Sequence, residues 1–265
     1  PETLDTYGPG TNGVSSNSFR RFGPVFPAGT QTYDNVGNFF RTGKAQTHNL
    51  GMDFGIGESK FRLSGSFFDQ QGVVPNNDFR RYNFRVSNTT KLLKGKIELM
   101  PSFAYSNSTN NKVLRSAGGF LLSLLIWPAT NDIRKFENDQ SGDKLDLFDN
   151  TSANGEYDNP LWNVNNNFGK DENLRKTYTM GININPYKWL TLSGRFGYDT
   201  YNQNGFMFQH PQSFYLGAGT GGALDNYWRK YEGYNHTITA TIKKDLTKDL
   251  NVRVMGGTMW QDYTT

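Results

Sequence analysis

The sequence predicts an all-β fold: an antiparallel transmembrane β-barrel wall of about eight consecutive strands. Three observations predict it. Apolar and polar residues alternate with period two in eight stretches, the connectors between them alternate between short and long, and aromatic residues gather at two depths. The clearest stretch is 178–185. One face reads Tyr178, Met180, Ile182 and Ile184; the other reads Thr179, Gly181, Asn183 and Asn185. A strand with that pattern separates two unlike solvents.

The first two strands are expected at 46–55 and 59–69, joined tightly by Gly55-Ile56-Gly57-Glu58. The third, 80–90, places Arg81, Asn83, Arg85 and Ser87 on its polar face. The fourth, 95–106, follows the turn Leu92-Leu93-Lys94-Gly95. Pro101 interrupts its apolar face, and a residue with no N–H there predicts a bulge or a ladder defect. Strands five and six, 174–185 and 188–201, flank Pro186-Tyr187. Strands seven and eight, 232–244 and 250–263, flank the turn 245–249. Each strand is close to the ~9–11 residues that a tilted strand needs to cross a bilayer. Strands of soluble sheets run to about 5–6. The other connectors, 70–79, 107–173 and 202–231, are longer. An up-and-down barrel segregates short turns and long loops to opposite ends. Greek-key crossovers would mix them.

Aromatic placement agrees. Tyr82, Tyr105, Tyr178, Tyr198, Tyr234 and Trp260 are expected at the long-loop end, on the apolar face. Phe54, Phe61 and Trp189 mark the opposite rim. Such rings favour a membrane–water interface, where the body is apolar and the tip is wet. The polar faces then line the lumen, with Arg85, Arg195, Asp199 and Arg253 as lumen-facing charges. An Arg on the lipid side at the midplane would cost about 2–4 kcal/mol. His236 is read as lipid-facing near a rim.

Composition restricts function. The chain has 265 residues, 35% hydrophobic and 15% aromatic, with 29 Gly and no Cys. No disulfide framework, thiolate metal site or Cys nucleophile is possible. The net charge of +4 is dispersed rather than gathered into Lys/Arg blocks, so no nucleic-acid footprint is expected. The most apolar run, Phe120 to Trp127, is too short for a spanning helix of about 20 residues. It is expected as a short helix folded against the mouth, or in contact with a partner lid. The opening Pro1-Glu2-Thr3-Leu4 has no secretory signature, so an exported protein would have its leader elsewhere or removed.

Catalytic constellations are missing, and the chain reads as a non-enzyme without a cofactor. His48, His210 and His236 lie in separate segments without metal-ligand spacing. Gly217-Ala218-Gly219-Thr220-Gly221-Gly222 matches GxGxxG but neither follows a buried parallel strand nor opens a helix. Asp139, Asp143 and Asp146 surround Gly142 and are weak Ca²⁺ candidates, since their order departs from the EF-hand pattern. Trp127, Trp162 and Trp228 fall in long loops as candidates for ligand or partner contact, with packing inside the loops as the plainer expectation.

One stretch is distinctive. Asn38-Phe39-Phe40-Arg41-Thr42-Gly43 leads through Gln46-Thr47-His48-Asn49-Leu50 to Phe67-Phe68-Asp69-Gln70-Gln71-Gly72-Val73-Val74-Pro75-Asn76-Asn77 and Arg80-Arg81-Tyr82-Asn83. With Asn159-Pro160-Leu161-Trp162 and Asn185-Pro186-Tyr187-Lys188-Trp189, this resembles the barrel of the SusC/RagA family of TonB-dependent outer-membrane transporters, well over 33–200 and loosely elsewhere. The resemblance implies a multi-pass protein of the bacterial outer membrane, in contact with lipid. It implies import of oligosaccharides or peptides, a SusD-like lipoprotein as lid, and energy from the TonB complex acting on a plug domain. No plug-like segment is present, so the chain is expected to be an arc of a larger barrel. The alternatives are a soluble or surface-attached β-sheet carbohydrate-binding or adhesin module, and a small closed barrel.

Overall fold

A computed structural model of the chain describes residues 7–9, 22–115, 118–136, 144, 157–214 and 221–265. Eight strands form one antiparallel sheet in sequence order. They are β3 (Lys44–Ile56), β4 (Ser59–Gln71), β5 (Asp78–Leu92), β6 (Ile97–Val113), β7 (Phe168–Tyr187), β8 (Leu190–Gln209), β9 (Ala223–Asp245) and β10 (Asn251–Thr264). The edge strands β3 and β10 do not pair with each other, so the sheet is an open arc. A separate two-stranded pair joins β1 (Tyr7–Pro9) to β2 (Phe22–Val25). The tight turns use left-handed backbone at Gly57 (φ 57°) and Gly95 (φ 84°), where glycine favours it, and also at Leu93 (φ 52°) and Lys94 (φ 56°).

All eight expected strands are present, but most outrun their expected ends. Pairing continues to Val113↔Phe168 between β6 and β7, and to Gln209↔Ala223 between β8 and β9. The connectors expected at 107–173 and 202–231 therefore shrink to 114–167 and 210–222. The cause is the loss of contrast between faces. Where water wets both sides, a strand need not alternate in hydropathy, and Ser108-Thr109-Asn110-Asn111-Lys112 reads as loop although its ladder is intact. Pro101 produces no bulge. It does produce the expected ladder defect: the β5–β6 ladder keeps its register but skips Pro101, passing from Ser87↔Ser102 to Thr90↔Leu99. The register shift lies instead in β7, between Ile184 and Tyr187, around Pro186.

The register puts one apolar and one polar face on the sheet. Across the apolar face runs a row of rings. Phe67 meets Tyr82 at 4.9 Å, Phe103 meets Tyr178 at 4.9 Å, Tyr178 meets Tyr198 at 6.0 Å and Tyr198 meets Tyr234 at 4.8 Å. His236 bridges Phe196 (5.5 Å) and Trp260 (5.1 Å). This row lies partway along the strands rather than at their ends. Two residues nearer the long loops, the same face turns polar: Asp69, Arg80, Asn107, Lys176, Thr200, Glu232 and Asp262. Ion pairs Lys170–Glu172 (2.5 Å) and Lys230–Glu232 (2.8 Å) follow beyond it.

At the long-loop end the connectors fold together into a small core of their own. Phe39 of α1 (Asn35–Phe39) stacks on Phe120 of α2 (Phe120–Ile126) at 4.8 Å and joins Leu124, Trp127, Ile133 and Val164. Asn35 fixes the 128–133 segment, donating to the carbonyls of Pro128 and Asn131 while accepting from the Ile133 N–H. Asn159-Pro160-Leu161-Trp162 proves to be the start of α3 (Pro160–Asn166). Asn159 caps the helix by accepting from the N–H groups of Leu161 and Trp162, and Pro160 occupies the first turn, where its missing N–H costs nothing. Nearby, Arg134 hydrogen-bonds the Asp132 carboxylate and holds it below the ordinary carboxylate range.

Asp158, only 3% exposed, ties the two long connectors to each other. It accepts from Ser213 Oγ (2.6 Å), the Phe214 N–H (2.8 Å) and Asn163 Nδ2 (3.0 Å), and Lys144 Nζ lies 3.4 Å away. Asp158→Ala strands these buried donors at once. The expected cost is about 3 kcal/mol or more. It should appear as faster proteolysis within 114–167 while the far-ultraviolet β signature of the sheet is unchanged.

Candidate functional site

The polar face carries the chemistry. Arg85, Arg195, Asp199 and Arg253 all project from it: Arg85 and Asp199 share one cross-strand row through Ala104 and Thr177, and Arg195 pairs with Gly181 and Thr237. The four do not form one cluster. Arg85 lies three strands from Asp199, and Arg253, opposite Lys243, lies near the short-turn end.

Asp199 has a partner that the sequence reading did not single out. Arg175 grips it with a fork, Nε to Oδ1 at 2.9 Å and Nη2 to Oδ2 at 2.6 Å, and Thr177 Oγ1 donates to Oδ1 at 2.9 Å. Above this pair, Tyr201 stacks on Tyr231 (5.2 Å), Tyr231 on Tyr263 (6.3 Å), and the Arg229 guanidinium lies over Tyr201. Below it the face sinks into an open concavity of about 680 Å³, lined by Thr177, Thr179, Gly181, Arg195, Gly197, Asn235 and Thr237 among others.

Further toward the loops a second polar group spans four strands. Lys112 Nζ contacts Asp171 Oδ2 (2.7 Å) and Tyr227 Oη (2.6 Å), and the Tyr227 hydroxyl donates to Asp171. The Tyr227 ring crosses β8 at Gly205, where a Cβ would stand 2.5 Å from both that ring and Asp171. Only glycine leaves room for the crossing. Arg175, Tyr201, Tyr227 and Tyr231 all keep the period-two phase of Thr177, Asp199 and Asn235. Continuing that phase past the last apolar residue would have found them.

The other site residues are placed as follows. Trp127 and Trp162 are 4% and 1% exposed and pack inside the loop core, so neither offers a free ring to a ligand. Trp228 is not in a loop: it pairs with Asn204 within β9, and it is 79% exposed on the side of the aromatic row. Asp139, Asp143 and Asp146 lie outside the described residues. Among the described residues, no three His, Cys, Asp or Glu side chains gather closely enough to hold a metal ion. The apolar run does form the short helix α2, with Leu121 and Leu125 on its exposed side. Tyr227→Phe removes one hydroxyl from the four-strand clamp and should lower unfolding stability by about 1 kcal/mol in a denaturant titration. Lys112→Met, which leaves Asp171 without its cation, should cost more.

No protein-family model matches the sequence, and no curated protein does. Solved structures do share the fold. Two of them, described as the RagAB peptide importer in the "closed-closed" state and the RagAB peptide transporter, each superpose with a TM-score of 0.70 at 17% identity. Each match covers 88% of this chain and 26% of the other. The RagAB peptide importer in the "open-open" state gives 0.68 at 16% identity, covering 98% of this chain and 28% of that one. The chain thus spans about a quarter of the length of the chains it resembles, and the eight-stranded arc is a fold it shares with them.

Proposed function

We propose that this chain is part of the wall and mouth of a TonB-dependent outer-membrane importer of the SusC/RagA type. Its role is transport rather than catalysis. The observation that carries the reading is the aromatic row on one face of an arc whose two edge strands are both unpaired by each other. A sheet edge in lipid leaves backbone N–H and C=O groups unsatisfied, so such an arc belongs in a larger closed barrel. Along β8, Trp189 to Tyr198 spans roughly 30 Å of strand, or about 23 Å of depth at a tilt near 40°. That matches the ~25 Å apolar band of an outer-membrane barrel. The strand then continues from Tyr198 to Gln209, carrying the wall well above the outer leaflet.

In this reading the polar face lines the lumen, and the loop core stands at the extracellular mouth. The cargo is an oligomer too large for passive diffusion, an oligosaccharide or a peptide, and the likeness to peptide importers favours peptides. A SusD-like lipoprotein lid would seat on the mouth, where Val36, Phe40, Leu121 and Leu125 are exposed close to the Phe39–Phe120 stack. A plug driven by the TonB complex would occupy the lumen. A soluble binding module would instead need to cover the row of rings.

Matched substitutions at mid-depth test the lipid assignment. Ile238→Arg on the apolar face should destabilise the protein in lipid vesicles by about 2–4 kcal/mol in urea titration, and Thr239→Arg on the polar face by far less. Equal effects, or folding as a soluble monomer without detergent, would defeat the membrane reading. For transport itself, cells lacking the protein should lose growth on a peptide mixture as sole amino-acid source and keep growth on free amino acids.

A further inference from the structure

The ring-bearing face of the inner strands carries a cation that its neighbours do not answer. Among the described residues of β4 to β9, the other cations above the aromatic row on this face are each paired: Arg80 with Asp69 (2.7 Å), Lys170 with Glu172 (2.5 Å) and Lys230 with Glu232 (2.8 Å). Lys176 is the exception. It stands half-buried on β7, and its side chain makes no ion pair or hydrogen bond to any described residue. The carboxylates closest to it on this face are taken, Glu172 by Lys170, and Glu232 by Lys230 and the Tyr198 hydroxyl.

An open sheet edge does not explain this. The ladder runs unbroken through Lys176, from Tyr105 on β6 to Thr200 on β8, with β5 and β9 beyond them. On this face of a closed barrel a side chain meets the surrounding medium and not the lumen, so a plug could not supply the anion. The partner has to come from outside the wall.

The surroundings and the depth point to a phosphate. Tyr105 and Thr200 flank the lysine directly, each with a hydroxyl, and Asn107 and Asn202 stand one step nearer the loops on either side of Leu174. The side chains of Tyr105, Asn107 and Asn202 likewise bond to no described residue. An ammonium among hydroxyl and amide donors, with no free carboxylate beside it, suits the oxygens of a phosphate. Lys176 lies two residues beyond Tyr178, about 7 Å along the strand and about 5 Å of depth at a tilt near 40°. Rings of the row sit at the membrane–water interface, so the lysine stem can lie along the wall while its ammonium reaches the headgroup layer.

We propose that Lys176, with Tyr105, Thr200, Asn107 and Asn202, binds the phosphate of an anionic lipid headgroup in the outer leaflet and seats that lipid against the wall. This rests on the membrane reading and does not depend on the cargo.

The test uses the full-length protein carrying this segment, purified in detergent, and two probes with the same acyl chains: lipid A with its phosphates, and lipid A from which they have been removed. Native mass spectrometry at low salt should show the phosphorylated form binding about fivefold more tightly, with the ratio shrinking as salt is raised. Lys176→Gln should make the two affinities equal, and Lys176→Arg should keep the preference. Equal binding of both forms by the wild type removes the headgroup site and leaves the membrane wall intact. A protein that stays a soluble monomer without detergent loses both. Displacement of the lipid by excess inorganic phosphate assigns the site to a free anion and overturns the lipid assignment. A preference unchanged in Lys176→Gln places the phosphate elsewhere, and a changed oligomeric state in that variant gives the lysine to a protein neighbour; either overturns the proposal.

Discussion

Backbone pairing is the constraint on which everything else in this chain depends. Each inner strand satisfies its main-chain groups only through its two neighbours, so the order β3 to β10 is a chain of mutual dependence with no crossover to brace it. Register follows from that ladder, and register decides which face every side chain meets. A slip of one residue in β8 would carry Arg195 and Asp199 to the ring-bearing face and Tyr198 to the polar face. The cross-strand contacts on both faces oppose such a slip. The rings Tyr178, Tyr198 and Tyr234 fix β7, β8 and β9 from one side, and the Arg175–Asp199 fork fixes β7 and β8 from the other.

The same dependence explains why the strands continue past the aromatic row. Above it the apolar face ceases to be apolar, and burial no longer holds the sheet together. Polar contacts take over: the cross-strand Lys112–Asp171–Tyr227 clamp on one face and, on the other, the cross-strand Arg80–Asp69 pair with the in-strand pairs Lys170–Glu172 and Lys230–Glu232. Surface ion pairs are individually weak, at about 0–1 kcal/mol. The clamp differs because it joins strands that are not neighbours, reaching from β6 to β9 across Gly205. It therefore acts on the curvature of the wall as well as on pairing, and it supports a platform on which the loop core can stand.

What the sequence made legible follows from this division. Between the two rims, strand number, order, facing and turns were all readable, because lipid-like and water-like faces impose period two on every residue. Met180, Ile182, Thr179 and Asn183 could not be misassigned. Beyond the rims that contrast disappears, and Asn107 to Lys112 and Asp171 to Asn173 read as loop although their ladders are complete. The loop core was legible only as composition. Trp127 and Trp162 stood out as aromatics, but the core around them is held by Asn35, Asp158 and Asn163, whose bonds to Ile133, Ser213 and Gly118 join segments distant in sequence and carry no periodic signature. Polar side chains that bond to irregular backbone specify structure through geometry, and one-dimensional spacing does not record it.

Arg195 shows how far a facing assignment reaches and where it stops. Period two alone placed Arg195 and Asp199 on one face of β8, four residues apart, without saying which residue pairs with the carboxylate. The structure gives Asp199 to Arg175 on the neighbouring strand. A fork needs its guanidinium roughly in the carboxylate plane, and a cross-strand neighbour can meet that condition. Four residues along one strand are about 13 Å apart, with side chains that stand roughly parallel, so Arg195 does not meet it. Thr177, directly opposite Asp199, contributes the hydroxyl that completes the carboxylate's shell. The consequence is a sorted wall, with one arginine consumed by cross-strand structure and the other facing the concavity beside Gly181 and the Met100 side chain that packs over it. The division between holding the sheet and meeting whatever enters it is made by the pairing partner of each residue.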